Sequence, residues 1–470
     1  MKRRSGYLWG VGLERRRVLA AGLAAVGTGI SFPMLSPCNT PTVELRKLAA
    51  EKGLFYGTTI SAAQITGDHE FVDLVLQQAG LVVAENDMKW QDMNRGALGD
   101  DNYGPADTVA AFALENGLAL RGHNLLWYHR TPGWFFDLTT RQEQERAIIE
   151  RIQRLAGRYR GMVHSWDVVN EPIEPKDGRP DGLRTGVFLE VLGPDYLDLA
   201  YRVARETDPS ARLVVNEYDV ELDTPEQEAR RTALLTLLQR MQHSGTPVDA
   251  VGIQAHLRCS GGPPFSASRL RRFLADLAGL GLTIQITELD VTDENAPADQ
   301  GVRDRLVADA YSRFLAAALD EPAVKLVVTW GLSDRYSWIV RQETHQSKWR
   351  NDGIPSRPLP FGVDYKVTDA WTVGGTGIAA SGQYLFGDEA NLNLKTQPYF
   401  VLNLHTSYQI TKNLQFFGLI ENAFNTKYYT FGTFSPTSSV LIAQAPGATN
   451  PRSYSPAAPI AGTVGIRVTF

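Results

Sequence analysis

Short apolar runs alternate with amphipathic stretches over most of the chain. Most of these runs are continuous, without a polar residue at every second position. Continuous apolar runs are typical of parallel strands that are buried on both faces. Eight runs predict strands, at residues 54–61, 81–87, 118–127, 163–171, 211–219, 248–257, 282–290 and 324–334.

The segments between these runs have helical patterns, as at residues 143–159 and 226–242. Eight successive β-then-α units of this length predict an α/β protein with a (β/α)8 barrel, or TIM barrel. In such a barrel the C-terminal ends of the strands meet at one face, which carries the active site.

The pattern changes after residue 361, where long helices give way to segments rich in Gly, Thr, Asn and aromatic residues. Residues 400–410 and 463–470 alternate strictly between apolar and polar side chains. This alternation predicts a C-terminal antiparallel β segment over residues 362–470.

The N-terminal stretch, residues 1–38, has basic residues followed by a weakly apolar run from Val18 to Ile30. That run is too short for a membrane span and predicts a removable export signal. The Arg15–Leu19 sequence resembles a twin-arginine signal. An uncleaved amphipathic tail is the alternative. We therefore expect a periplasmic or secreted protein.

The overall composition is that of an ordinary globular protein, with 43% hydrophobic and 21% charged residues. A net charge of −5 argues against binding to nucleic acid. The two cysteines cannot form a disulfide framework, so a hydrophobic core must hold the chain together.

Polar and aromatic residues gather at the C-terminal ends of the predicted strands. Glu171 ends the fourth strand and Glu288 lies near the end of the seventh, so a closed barrel places them across its mouth. Two acids facing each other across a cleft are what glycoside hydrolysis requires. Taken singly, each glutamate is more simply a solvated acid or an ion-pair partner.

Aromatic residues near the same strand ends offer flat surfaces to sugar rings. Those considered for this role are Trp90, Trp127, Trp330 and Trp338. An alternative interpretation of His123 and His256 is that both are core histidines with satisfied hydrogen bonds. Their spacing from nearby acids does not make a metal-binding motif.

Six motifs carry a resemblance to a known family: AENDMKW (84–90), RGHNLLWY (121–128), WDVVNEP (166–172), GIQAHL (252–257), ITELDV (286–291) and TWGLSDRYSW (329–338). Together, residues 43–361 resemble glycoside hydrolase family 10, the retaining endo-1,4-β-xylanases built on a (β/α)8 barrel. The resemblance implies a monomer that hydrolyses xylan or xylo-oligosaccharides without a cofactor or metal.

By the same resemblance, Glu171 matches the general acid/base and Glu288 the nucleophile. The residues that match the glycone subsites are Glu85, Asn86, Lys89, His123, Trp127, Asn170, Gln254, His256, Trp330 and Trp338. Two positions depart from the family pattern. Arg130 stands where many members have Gln, and residues 216–219 read Asn-Glu-Tyr-Asp, where Asn-Asp-Tyr-Asn is common.

Residues 362–470 resemble the C-terminal end of a TonB-dependent outer-membrane receptor, chiefly through ENAFNTKYY (421–429) and a last strand ending at Phe470. Four or five strands are too few to close a membrane barrel, which needs about eight. The segment is interpreted as part of a gene fusion, as an outer-membrane anchor formed by several copies, or as an independent β module. The first is favoured.

Two rival functions stay open at this stage. An outer-membrane receptor or transport component would owe its identity to residues 362–470, and would partition with membranes. A barrel glycosidase acting on β-glucans would prefer cellulose-type substrates to xylan.

Overall fold

The computed structural model describes residues 44–262, 264–340, 350, 356–361, 365–366, 371–380, 397, 399–411, 414–434, 452–456 and 459–468. They fall into two compact units, one within residues 44–361 without 299–305, the other formed by 299–305 and the described residues after 361. The predicted export signal, residues 1–38, lies outside the described residues.

Eight parallel strands close into a barrel in the larger unit, which confirms the predicted fold class. In sheet order they are β1 (Phe55–Ile60), β2 (Leu81–Ala84), β3 (Ala119–Gly122), β5 (Val163–Asn170), β6 (Arg212–Glu217), β7 (Ala250–Ile253), β9 (Thr283–Thr292) and β10 (Val324–Thr329). Two short strands, β4 (Leu126–Trp127) and β8 (His256–Arg258), pair with β5 and β9 beyond the barrel rim.

Among the described residues, one helix precedes the first barrel strand, and the others lie between the barrel strands in sequence. They are α1 (Leu45–Glu51), α2 (Ala62–Gly67), α3 (His69–Gln78), α4 (Trp90–Met93), α5 (Gly104–Glu115), α6 (Arg141–Arg158), α7 (Val187–Leu192), α8 (Asp195–Thr207), α9 (Pro225–His243), α10 (Ala267–Gly279) and α11 (Gln300–Ala318). The stretches predicted as helical, 143–159 and 226–242, correspond to α6 and α9.

Helix α6 shows why these sequences fold as they do. Thr140 and Glu143 form a capping box that satisfies backbone N–H groups at the first turn. Ile148, Ile152 and Leu155 recur at helical spacing and are fully buried. The cap sets where the helix begins, and the apolar stripe sets which face turns to the core.

The barrel is a packed core with no open pore. Leu81 and Val83 of β2 and Leu326 and Val328 of β10, the strands on either side of β1, form one cluster of buried side chains together with Trp330. Continuous apolar runs are needed because each strand meets helices on one face and the barrel interior on the other.

The smaller unit is antiparallel β, as its alternating sequence predicts. A five-stranded sheet has the order β11 (Tyr365–Lys366), β12 (Trp371–Ala380), β13 (Tyr399–Thr411), β14 (Leu414–Glu421) and β17 (Ala461–Val468). Strands β15 (Tyr429–Phe434) and β16 (Arg452–Pro456) form a separate pair. Several apolar residues at alternate positions of β13, among them Leu404, Tyr408 and Ile410, are exposed.

None of the helices in the described residues is both long and apolar enough to span a bilayer.

A substitution of Gly122, at the end of β3, would test how tightly the barrel is packed. A β-carbon at this position would overlap the ring of fully buried Trp166. Gly122→Ala is therefore expected to lower the free energy of unfolding by about 1–3 kcal/mol, the usual cost of overpacking. The control is Gly133→Ala, because no heavy atom lies within 4 Å of a β-carbon added there. Chemical denaturation measures both, and equal free energies for the two variants would contradict this packing.

Candidate active site

Two buried glutamates stand at the C-terminal face of the barrel. Glu171 directly follows β5 and is 9% exposed, while Glu288 lies on β9 and is 5% exposed. Carboxylates are rarely buried to this extent unless other groups satisfy them.

Glu171 is held by both its backbone and its side chain. Its φ of 57° is left-handed, and its N–H donates to the carbonyl of Asn216 at 2.8 Å. Gln254 Nε2 donates to its Oε1 at 3.0 Å, and Asn170 Nδ2 donates to the same oxygen at 3.3 Å. The carboxyl group is thus fixed in direction by groups of the protein itself.

Glu288 has a different set of partners. Asn216 Nδ2 donates to its Oε1 at 2.8 Å, and His256 Nε2 lies 3.3 Å from its Oε2. Burial by itself raises the pKa of Glu288. The hydrogen bond from His256, with the charges of His123, His256 and Lys89, outweighs burial and lowers that pKa to about 2. Glu288 is therefore ionised at neutral pH.

Two further contacts orient His256. Its Nδ1 donates to Asp290 Oδ1 at 2.9 Å, and Trp338 Nε1 donates to the other oxygen of Asp290 at 2.5 Å. The rings of His256 and Trp338 also meet, with centroids 5.1 Å apart. Asp290 thereby fixes the ring plane of the histidine that contacts Glu288.

Lys89 forms another side of the cleft. Its Nζ donates to Asn86 Oδ1 at 2.8 Å and lies 5.0 Å from the ring centroid of Trp127 and 5.7 Å from that of Trp330. Burial lowers the pKa of Lys89, and the charges of Glu288 and Glu85 oppose that change. This side of the cleft combines a cation with two aromatic rings.

His123 connects this side to the barrel interior. Its Nδ1 donates to Asp167 Oδ2 at 2.7 Å, and Arg121 Nη1 donates to the same oxygen at 2.7 Å. The His123 ring packs edge-on against Trp330 at 5.1 Å. Arg121 and Asp167 are completely buried and neutralise each other beneath the cleft.

The sequence model of "Glycosyl hydrolase family 10" matches residues 44–373. The chain belongs to this family. It is a glycoside hydrolase.

Curated relatives and solved structures agree with the family match. The chain is 33% identical over 308 residues to Endo-1,4-beta-xylanase 1 of Humicola insolens, covering 63% of this chain and 68% of the relative. It is 34% identical over 294 residues to Endo-1,4-beta-xylanase A of Fusarium oxysporum f. sp. lycopersici, with coverages of 61% and 85%.

Among solved structures, the chain is similar to xylanase 10B from Thermotoga petrophila in complex with xylobiose. The TM-score is 0.60 at 27% identity, and the match covers 69% of this chain and 94% of that one. The family model stops at residue 373, so the resemblance of residues 362–470 to a TonB-dependent receptor stays a prediction.

The contacts above bring the predicted site residues together at the C-terminal face of the barrel, and Glu85 acts on Lys89 through its charge. Their roles stay predictions. The prediction that Trp90 offers a surface to a sugar ring is wrong. This side chain is 2% exposed, and its ring packs against Trp134, Phe135 and Arg151. It follows Lys89 directly, so its position in the sequence did not distinguish it from a cleft residue.

Sequence reasoning did not select Asn216, Asp290 or Arg184. Asn216 Nδ2 lies 2.8 Å from both Glu288 Oε1 and Asn170 Oδ1, and so connects the surroundings of the two glutamates. Its place at the end of the fifth predicted strand was a usable signal. Asp290 follows Glu288 by two residues and shares its side of β9, whereas nothing local marks Arg184.

The two departures from the family 10 pattern have different consequences. Arg130 Nη1 lies 3.6 Å from Asp92 Oδ1, so the cation is paired near Trp127. Glu217 is fully buried and accepts the N–H groups of Ile173 at 2.9 Å and of Tyr218 at 3.0 Å. Its side chain supports the loop that follows Glu171.

Metal ligation was also considered. Within the described residues, no group of three or more His, Cys, Asp or Glu side chains is arranged to hold a metal ion.

The low pKa of Glu288 predicts a specific dependence of stability on pH. A folded-state pKa of about 2, below the ordinary value of 4.5, means that ionised Glu288 stabilises the fold above pH 4.5. This contribution is lost as the pH falls towards 2. Between pH 6 and pH 3, the unfolding free energy of the wild type relative to Glu288→Gln is expected to fall by roughly 2 kcal/mol.

Urea titrations at several pH values measure this difference. Glu115→Gln is the matched control, because Glu115 is exposed on α5. A constant gap between wild type and Glu288→Gln over this range would contradict the assigned surroundings of Glu288.

Proposed function

We propose that this chain is an endo-1,4-β-xylanase that cleaves the xylan backbone with retention of anomeric configuration. The observation that carries the proposal is the pairing of Glu171 and Glu288 in one cleft with different electrostatic surroundings. Glu288 has a histidine and a nearby lysine that favour its anion, whereas the side-chain donors to Glu171 among the described residues are the amides of Gln254 and Asn170. The relatives named above are xylanases, which supports xylan as the substrate class.

The first step forms a covalent glycosyl-enzyme. A carboxylate oxygen of Glu288 attacks the anomeric carbon while the bond from that carbon to the leaving oxygen breaks. Glu171 transfers its proton to the leaving oxygen, so the shortened xylan chain departs as an alcohol. Ionised Glu288 and protonated Glu171 are the starting states that this step requires.

The second step releases the sugar. Glu171, now a carboxylate, takes a proton from water, and the water oxygen attacks the anomeric carbon from which Glu288 departs. Two inversions give net retention. Neither step requires a cofactor or a metal ion.

The remaining cleft residues bind the glycone. Asn170 is assigned to the sugar hydroxyl next to the anomeric carbon, and His256 to orienting Glu288. Trp330 and Trp338 offer apolar faces to the rings. Hydroxyl contacts are assigned to the polar residues Glu85, Asn86, Lys89, His123 and Gln254, near Trp127.

The proposed organisation follows the sequence: an export signal in residues 1–38, the hydrolase in residues 43–361 and a β segment in residues 362–470. Export to the periplasm or the medium would bring the enzyme to polymeric xylan. Outer-membrane association through the last segment stays a prediction, tested by fractionation of cells that express the full chain.

Reducing-sugar release from xylan by the purified full chain tests the proposal. Wild type is expected to be active, and Glu288→Ala is expected to lose nearly all activity because the nucleophile is gone. Glu190→Ala, at an exposed site on α7, is the matched control and should keep its activity.

The rival activity on β-glucans is tested in the same assay. Release from xylan should exceed release from carboxymethyl cellulose and barley β-glucan. A folded chain that is inactive on xylan, or one that prefers glucans, would contradict the proposal.

A further inference from the structure

A single arginine contacts three consecutive carbonyl groups of the turn that carries Glu171. The turn consists of Glu171, Pro172 and Ile173. Arg184 Nε donates to the carbonyl of Glu171 at 2.9 Å, its backbone N–H donates to that of Pro172 at 2.8 Å, and its Nη2 donates to that of Ile173 at 3.2 Å.

This turn needs such support. Glu171 has a φ of 57°, a left-handed conformation that is costly for a residue with a side chain. Conformations of this kind persist only when surrounding contacts enforce them. Asn216 accepts the N–H of Glu171, and Arg184 holds its carbonyl, so both sides of the strained residue are fixed.

Arg184 is itself held in place. Its Nη2 donates to the hydroxyl of Tyr218 at 2.9 Å, and its guanidinium lies 4.3 Å from the ring centroid of Tyr128. Glu174 lies 3.6 Å away and supplies the opposite charge. The side chain is only 12% exposed, so its orientation is fixed by packing as well as by hydrogen bonds.

The other end of the turn has an independent support. Glu217 accepts the N–H of Ile173 at 2.9 Å, and Arg230 Nη1 donates to the carbonyl of Ile173. Arg230 also contacts Glu174 at 2.9 Å, which joins the two supports into one network. Loss of the Arg184 side chain therefore leaves Ile173 anchored and frees chiefly the carbonyl of Glu171.

We propose that Arg184 is a positioning residue for the acid/base Glu171, acting through the backbone of the Glu171–Ile173 turn. The inference rests on the proposed function, since it concerns the proton that Glu171 transfers. An arginine bound to three carbonyls keeps the carboxyl group aimed at the leaving oxygen. Misplacement of a reacting group by about 1 Å lowers rates by roughly 100-fold.

The test compares two substrates that differ only in their need for a proton. Phenyl β-xylobioside requires protonation of its leaving oxygen, whereas 2,4-dinitrophenyl β-xylobioside does not. Arg184→Met is expected to lower kcat/KM for the phenyl substrate by about 10- to 100-fold, and for the dinitrophenyl substrate by less than about three-fold. With the dinitrophenyl substrate, release of the sugar from Glu288 still uses Glu171 as the base, so kcat should fall when this step slows. Added azide, which attacks without a general base, should restore that kcat.

Three comparison variants make the result interpretable. Arg179→Met changes a half-buried arginine in the same loop, whose side chain pairs with Asp181 at 2.7 Å, and should alter neither substrate. Tyr218→Phe removes the hydroxyl that accepts from Arg184 and that also contacts Glu174 and Arg230, and should give a smaller loss with the same selectivity. Glu171→Ala defines the full effect of losing the acid/base.

The outcomes separate the inference from the function on which it rests. Equal losses on both substrates, or no loss on either, would overturn the role of Arg184, provided that Glu171→Ala loses more activity on the phenyl substrate than on the dinitrophenyl substrate. A Glu171→Ala variant without selectivity would overturn the proposed function itself. Circular dichroism checks the fold of each variant. If Arg184→Met does not fold, the difference between the losses of Tyr218→Phe on the two substrates tests the role of Arg184 instead.

Discussion

The pairing of the first barrel strand with the last is the constraint on which the site depends. Phe55 of β1 lies opposite Leu326 of β10, and β10 also pairs with β9, so the sheet returns to its starting strand. Parallel strands place all their C-terminal ends at the same edge, and closure turns that edge into a ring. Glu171 and Glu288, more than a hundred residues apart in sequence, become neighbours for this reason.

Within that ring, charges are buried in compensated groups. Asp167 lies between Arg121 and His123, and Glu288 lies close to His256. A charge taken from water into a protein interior costs several kcal/mol unless nearby groups offset the loss. These partners are all groups of the protein itself, and charges offset by fixed groups need little reorganisation when a bond breaks. Burial therefore strengthens the electrostatics of the cleft without neutralising Glu288.

The smaller unit presents the opposite physical situation. Its five-stranded sheet is open, because the described strands β11 and β17 each pair on one side only. The register places Leu404 opposite Ile420 and Phe416 opposite Ile466, which gathers apolar side chains on one exposed face. A barrel buries both faces of its strands, whereas the described residues of this sheet leave edges unpaired and an apolar surface exposed.

The sequence by itself determined the eight barrel strands, the antiparallel C-terminal segment and the strand ends that carry the cleft residues. It could do so because the period of apolar residues reports burial locally, and parallel strands expose polar residues at one end. It did not determine that Trp90 turns into the core, that Asn216 joins the surroundings of both glutamates, or that Arg184 holds the turn of Glu171. Those contacts join residues from different strands and loops, so only closure of the barrel brings them within hydrogen-bonding distance.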